Sequence, residues 1–356
     1  MTAIPMQARA PRLNRRALAW LAFGIGGVVI YALVLWLDFI LLQNLPPEAA
    51  LSLAIQQTFN ALSIGSIYAL IALGYTMVYG IIELINFAHG DIFMIGAFLA
   101  VVWIGGIMGQ TGAVENIPLL IFLIAGALIF TMPLVGVLNV TIERLVYRPL
   151  RNAPRLAPLI TAIGVSFILQ NVALIVAGSG DRRAPQVFPL SWQIDILGAS
   201  ISVLSIFIFV LALSLMFALQ AFVGRTRLGR AMRATAQDRE AASIMGVDQN
   251  QTIALTFLLG GALAAAAGVV WDLRFGYVRQ DLGFASGLKA FTAAVLGGIG
   301  NITGAVLGGF IIGFVENFAS ANNLSRWSEF AVFVVLTLVL IFRPSGILGQ
   351  ATGDRV

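Results

Sequence analysis

The sequence predicts an all-α polytopic membrane protein, and three observations carry that prediction. Of its 356 residues, 59% are hydrophobic and only 10% are charged, whereas soluble domains carry about 25% charged residues. The apolar residues fall in long runs, several near the roughly 20 needed to cross a hydrocarbon core about 30 Å thick. The positive charge is nearly all arginine, with Lys289 the one lysine, and it gathers in a few loops. About eight transmembrane helices are expected, together with re-entrant or broken segments and a weak internal repeat.

Residues 1–16 form a basic N-terminus with Arg9, Arg12, Arg15 and Arg16, followed by an apolar run from Ala17 to Leu37. No small-x-small cleavage site follows that run, so 17–42 reads as a leading membrane helix and not a signal peptide. Apolar runs at 51–82, 92–108 and 117–142 then lead to a loop with Arg144, Arg148, Arg151 and Arg155. The run 156–177 ends at a polar loop with Asp181, Arg182, Arg183 and Asp195. The run 201–223 returns to the most basic loop, with Arg225, Arg227, Arg230, Arg233 and Arg239, and 253–271 leaves again. On this tracing 15 of the 20 arginines share the side of the N-terminus. The positive-inside rule makes that side the cytoplasm, with both termini on it. The short run 285–298 reads as a re-entrant half-helix, 302–319 as its return and 329–342 as the last span. Residues 350–356 form a cytoplasmic tail.

The stretch Tyr79–Phe98 holds Glu83, Asn86, His89 and Asp91 inside apolar surroundings, and His89 is the only histidine. A strong polar group at the bilayer centre costs about 2.5–3.5 kcal/mol on insertion scales, so such residues point to function. Gly80, Gly90 and Gly96 mark a broken helix. A second Gly-interrupted turn, Gly298-Ile299-Gly300-Asn301-Ile302, matches Ala88-His89-Gly90-Asp91-Ile92 in pattern. Paired interruptions of this kind point to a translocation site, because freed helix ends offer N–H or C=O groups to a polar solute. The candidate pathway residues are Asn86, His89, Gly90, Asp91, Gly298, Gly300 and Asn301. Several readings stay open. His89 either meets a substrate carboxylate or senses pH, or it bonds a carbonyl freed by the break. Asp91 is expected to N-cap the third span, with Asn301 in the matching place, and Lys289 to snorkel to the outer interface. The glycine pairs Gly304/Gly308 and Gly309/Gly313 fit either a gate-lining helix or tight packing.

The basic loop 224–249 predicts one amphipathic helix from Leu228 to Met245, ended by Gly246. Its apolar set is Leu228, Met232, Ala236, Ala242 and Met245. Such a helix lies on lipid or fills a groove on a partner. Within it, Glu240-Ala241-Ala242-x-x-x-Gly246 is the EAA-x3-G pattern of ABC-transporter permeases, although the Ile-x-Leu-Pro continuation is absent. No GxxxxGK[ST] motif occurs, so nucleotide is expected to bind elsewhere. The lack of cysteine excludes disulfides, thiolate catalysis and Cys-bound metal. There is no nucleophile–base pair, metal-ligand cluster or cofactor fingerprint. The expectation is therefore no catalytic residue, no metal and no enzyme activity of the chain itself.

The runs GSIYALIALGYTMVYGIIELINFAHGDIFMIGAF, LAPLITAIGVSFILQN, LGRAMRATAQDREAASIMGV and GLKAFTAAVLGGIGNITGAVLGGFIIG, with the ending RPSGILG, resemble LivH-type permeases of bacterial branched-chain amino-acid ABC importers. The resemblance covers about residues 51–349. It implies a bacterial inner-membrane subunit that works by alternating access beside a LivM-type permease. Two cytoplasmic P-loop ATPase subunits would bind ATP and Mg, and a periplasmic amino-acid-binding protein would deliver solute. Lipid would surround the assembly, and no nucleic acid is involved. Glu240, Ala241, Ala242 and Gly246 would contact the ATPase. Permeases of the same family for urea or other small amides, and a proton-coupled secondary transporter, remain alternatives.

Overall fold

The computed structural model describes residues 15–41, 43–151, 153–154 and 156–349. The expectations for Arg9, Arg12, Arg155, Arg355 and the tail lie outside the described residues. The described residues form two compact units, one of those up to residue 58 with 195–200, the other of those from 59 to 194 and from 201 onward.

The first unit holds helix α1 (Arg15–Leu41) and the start of α2 (Pro47–Ile82). The Trp36 indole N–H bonds the Pro47 carbonyl at 3.2 Å, and Gln56 bonds the Ser200 carbonyl at 3.2 Å.

The second unit holds the rest of α2 and ten further helices: α3 (His89–Val101), α4 (Ile117–Ile142), α5 (Leu156–Ala177), α6 (Val203–Arg225), α7 (Arg227–Gln237), α8 (Arg239–Ile244), α9 (Gln249–Phe275), α10 (Leu282–Gly297), α11 (Ile302–Ala321) and α12 (Ser328–Phe342). Among the described residues, eight helical stretches are long and apolar enough to cross a membrane: α2, α3 with its following π-turn, α4 through Leu150, α5, α6, α9, α11 and α12 with its preceding 3-10 turn. The protein is thus an all-α multi-pass membrane protein. Strands are limited to a few residues. Arg182–Arg183 pairs antiparallel with Tyr277–Val278 and ties the ends of α5 and α9 together.

Cap chemistry explains where α4 and α9 start. Asp248 opens α9 by accepting from Asn250 N and Gln251 N at 2.8 and 3.1 Å, satisfying donors that have no intrahelical partner. Asn116 opens α4 through Leu119 N at 3.2 Å. The core is built on α2 and α9, the most buried spans, whereas α5, α6 and α12 show mostly apolar outer faces. Lipid can cover such faces because it is as apolar as they are.

Small side chains let the inner helices touch. The two glycine pairs of α11 face different neighbours. A Cβ on Gly304 would overlap Gly297, and one on Gly308 would overlap Ala293, both on α10. On Gly309 a Cβ would lie 2.5 Å from Ala69 Cα, and on Gly313 it would overlap Gly65, both on α2. The pairs therefore serve tight packing, with α11 wedged between α10 and α2.

Two expectations are corrected here. Residues 228–245 do not form one helix, because Asp238 is extended (φ −156°) and its carboxylate accepts from Ala241 N at 3.0 Å. Asp238 caps a new helix in place of continuing the old one. Lys289 does not snorkel. Its ammonium lies 2.8 Å from Glu316 on α11, with both side chains mostly buried, because a buried charge is tolerated only when paired.

Gly309→Leu is expected to lower stability by more than the about 1–3 kcal/mol typical of overpacking, because backbone and not a flexible side chain lies in the way. Gly164→Leu, at a position with nothing within 4 Å, is the control. Thermal unfolding of the purified protein in detergent checks this, and equal midpoints for the two variants would contradict it.

Candidate functional site

Helix α2 stops at Ile82, and the six residues to Ala88 break the path into α3. Glu83, exposed and at φ 53°, turns the chain. Asn86 is buried inside the turn, where its Oδ1 accepts from Ala88 N at 3.1 Å and from the Tyr147 hydroxyl at 2.7 Å. The freed Ile81 carbonyl takes two bonds from one guanidinium, Arg239 Nε at 3.0 Å and Nη2 at 2.7 Å. Arg239 in turn is held through its own carbonyl by Gln249 Nε2 at 2.8 Å. The break is thus tied to two loops, one after α4 and one between α7 and α9.

Tyr147 reaches Asn86 because α4 ends in a π-turn, Glu143–Tyr147, whose wider winding puts both end residues inside. Such π-turns recur at functional sites. Glu143 pairs with Arg151, and Arg151 also donates to Asn250 Oδ1 at 2.8 Å. The loop after α4 is therefore fastened to the start of α9.

His89 begins α3 and lies against Tyr75 with ring centroids 4.8 Å apart at 69°. A Cβ on Gly74 would lie 2.5 Å from its Cε1, so the ring fills space that only glycine leaves open. Neither ring nitrogen completes a hydrogen bond of normal geometry with a described residue. Of the three readings of His89, the bond to a carbonyl at the break is not made. Asp91 does not cap α3 either, because the helix starts two residues earlier and no side chain caps it. Its carboxylate is fully buried and faces α5, accepting from Ser166 Oγ at 2.5 Å and Gln170 Nε2 at 3.2 Å.

The second break is tighter. Gly298 and Gly300 have φ of 104° and 87°, values that L side chains rarely adopt. Asn301 caps α11 as expected, accepting from Gly304 N at 3.1 Å. The carbonyls freed at the end of α10 are taken by the segment after α12. Ile347 N bonds Leu296 O at 2.9 Å and Leu348 N bonds Gly297 O at 3.0 Å. Asn301 Nδ2 completes the strap by bonding the Leu348 carbonyl at 2.9 Å. Helix α10 itself is 16 residues, about 24 Å, so it stops short of a full crossing.

The two breaks meet, though not through the residues that the sequence pattern paired. Gly80 is the neighbour of Gly300, where a Cβ would lie 3.2 Å from the Gly300 Cα. Gly90 lies instead near the start of α10, where its Cβ would be 2.8 Å from Gly287 Cα. Between the breaks is a cavity of about 10 Å³ lined by Tyr75, Tyr79, Asn86, Phe291 and Ile299, among others. That is about the minimum for one water. Phe291 packs on both Tyr75 and Phe87, at centroid distances of 5.8 and 5.7 Å. The junction is closed by aromatic rings in this conformation. A larger cleft of about 860 Å³ opens by α3 and α5 and reaches Arg182 and Arg183.

Of the basic loop, α8 carries Glu240, Ala241 and Ala242, and Gly246 ends it at φ 85°, with its N–H on the Ser243 carbonyl at 2.9 Å. Met232 and Ala242 are buried, but Leu228, Ala236 and Met245 are not. Ile244 and Met245 are over 80% exposed, and Glu240 and Ala241 beside them are also exposed. The loop therefore presents an apolar, glutamate-edged face to the surroundings.

Sequence reasoning missed Tyr147, Ser166, Gln170 and the particular role of Arg239. Arg239 was one of five arginines that positive-inside bias explains equally well. The one local signal was Glu143, a carboxylate at the end of an apolar run. Ser166→Ala leaves the buried Asp91 carboxylate one donor short and is expected to lower stability by about 1.5–3 kcal/mol. A melting temperature equal to that of the parent protein would show that the bond contributes nothing.

The family described as "Branched-chain amino acid transport system / permease component" matches residues 57–342, a span that leaves α1 outside. The chain is 44% identical over 305 residues to the high-affinity branched-chain amino acid transport system permease protein BraD of Pseudomonas aeruginosa, covering 85% of this chain and 98% of that protein. It is 42% identical to LivH of Escherichia coli, covering 85% and 97%. A probable LivH of Methanocaldococcus jannaschii is 27% identical, covering 82% and 91%. No solved structure matches. A family match across most of the chain, together with relatives matched almost end to end, shows that this protein belongs to the permease-component family of branched-chain amino acid transport systems.

Proposed function

We propose that this chain is one permease subunit of an ATP-driven importer for branched-chain or similar small neutral amino acids in a bacterial inner membrane. The observation that carries the coupling part of the reading is the exposed face of α8. A helix in a cytoplasmic loop with bare Ala241, Ile244 and Met245 beside Glu240 suits a groove on a partner. The partners expected are two P-loop ATPases at this face, a LivM-type permease in the membrane and a periplasmic amino-acid-binding protein. The chain has no phosphate-binding loop of its own, so ATP and Mg belong to the ATPases.

The arginine-rich end, where 143–151, 224–249 and 343–349 lie, is assigned to the cytoplasm by the positive-inside rule. Both termini share that side. The two breaks and their aromatic junction are the cytoplasmic gate, with Asn86, His89, Gly90, Asp91, Gly298, Gly300 and Asn301 in or beside it. Alternating access then means closure of the ATPases pulling on α8 and parting the junction. Identity to BraD and LivH supports the amino-acid assignment. The gate itself carries no feature that selects a solute, which is consistent with substrates whose side chains are apolar.

Glu240→Ala and Gly246→Val are expected to abolish ATP-driven uptake, by at least tenfold, while membrane levels of the chain stay at those of the parent. Valine at Gly246 must adopt φ near 85°, which disrupts the turn that sets the α8 face. Uptake of labelled leucine in cells expressing the whole transporter, beside a membrane blot, is the measurement. Full uptake in both variants would remove the docking assignment. Co-purification of two ATPases with the tagged chain checks the partners directly.

A further inference from the structure

We infer that Arg239 and Tyr147 are positioning residues that fasten the cytoplasmic gate to the two loops beneath it, and that motion of α8 reaches the gate through the Ile81 carbonyl. The inference rests on the coupling reading above, but it names a link that the EAA pattern does not contain.

The geometry is specific. Arg239 is the first residue of α8 and directly precedes Glu240. Both of its bonds, 3.0 Å from Nε and 2.7 Å from Nη2, converge on one oxygen. That oxygen is among the last four carbonyls of α2, which a helix end leaves without partners. A guanidinium at a helix C-terminus also meets the negative end of the helix dipole. The bond therefore satisfies a group that would be costly to leave bare, and it does so from the element expected to move. Because two N–H groups of one planar guanidinium hold the same oxygen, displacement of α8 pulls on the end of α2 through two bonds and not one.

Tyr147 is the second anchor. Its hydroxyl bonds Asn86 Oδ1 at 2.7 Å, and the same oxygen holds Ala88 N at 3.1 Å. The break is therefore pinned at its start by Arg239 and at its middle by Tyr147. The two anchors are not independent, since Arg151 joins the Tyr147 loop to Asn250 and Gln249 joins Arg239 to the same turn. One cytoplasmic plate thus grips the six-residue break at its start and at its middle. The residues between the grips, Leu84 and Ile85, line the small closed cavity. Translating the plate shifts that lining.

The test uses the assembled transporter in nanodiscs with its ATPases and binding protein. The chain has no native cysteine, so Leu84→Cys gives a single reporter at the half-buried position inside the break. In this background, trapping the ATPases with nucleotide is expected to change the maleimide labelling rate several-fold. Adding Arg239→Gln is expected to abolish that change and to cut amino acid transported per ATP hydrolysed about tenfold, with ATPase subunits still co-purifying. Arg239→Lys, which keeps the charge but not the fork, restores part of it. Tyr147→Phe, which removes one hydroxyl, lowers transport per ATP without altering ATPase binding. An unchanged labelling response and transport ratio in Arg239→Gln would overturn the link. Loss of ATPase from the purified Arg239→Gln complex would also overturn it, by making Arg239 a docking residue. If instead the Glu240 variants transport normally while Arg239→Gln does not, the docking reading fails and the link stands.

Discussion

A helix that stops inside a membrane protein leaves carbonyls with no water to bond, and much of this molecule is arranged around that constraint. Each break has its own answer. At the end of α2 the Ile81 carbonyl is met by Arg239 from a loop that is 158 residues away in sequence. At the end of α10 the Leu296 and Gly297 carbonyls are met by backbone from 347–348. Non-helical backbone at membrane depth survives only where protein supplies such partners. The elements that supply them, α8 and the segment after α12, are therefore tied to the two breaks by hydrogen bonds to freed backbone carbonyls.

Closeness of the helices is the second requirement. Helices α2, α10 and α11 approach until backbone touches backbone, through Gly65, Ala69, Gly297, Gly304, Gly308, Gly309 and Gly313. In a bilayer, where lipid is as apolar as leucine, such van der Waals fit and a few polar contacts hold helices together. The polar contacts are placed sparingly: Lys289 with Glu316, Asp91 with Ser166 and Gln170, and Asn139 with the Phe257 carbonyl at 2.7 Å. Each joins two helices side by side. The junction of the two breaks by contrast is packed with rings, Tyr75, Phe87 and Phe291, none of which carries a charge.

Much of the architecture was legible from composition and run length, because the cost of burying charge in lipid forces apolar runs to be long and charges to gather at their ends. The two breaks were visible through glycine and through polar residues that had no business in an apolar run. The EAA helix was visible as a pattern, and its end at Gly246 followed from the need for a left-handed turn. The errors came from local rules applied where distant partners decide. Asp91 looked like a cap from its place after Gly90, but Ser166 and Gln170 hold it. Lys289 looked free to snorkel until Glu316 came within 2.8 Å. One helix was expected where Asp238 divides two.

By itself, then, the sequence determined that the chain crosses a membrane many times, where most of its helices run, where two of them break and which loop carries the EAA pattern. These follow from properties of single residues and their near neighbours: hydropathy, φ preference and capping. Only the tertiary structure decided that Gly80 and not Gly90 faces Gly300, that Tyr147 reaches Asn86, and that Arg239 is distinguished from the other arginines of its loop. Those pairings join residues 61 to 220 positions apart, and no local rule encodes them. They are fixed by which freed backbone groups remain to be satisfied once the helices have packed.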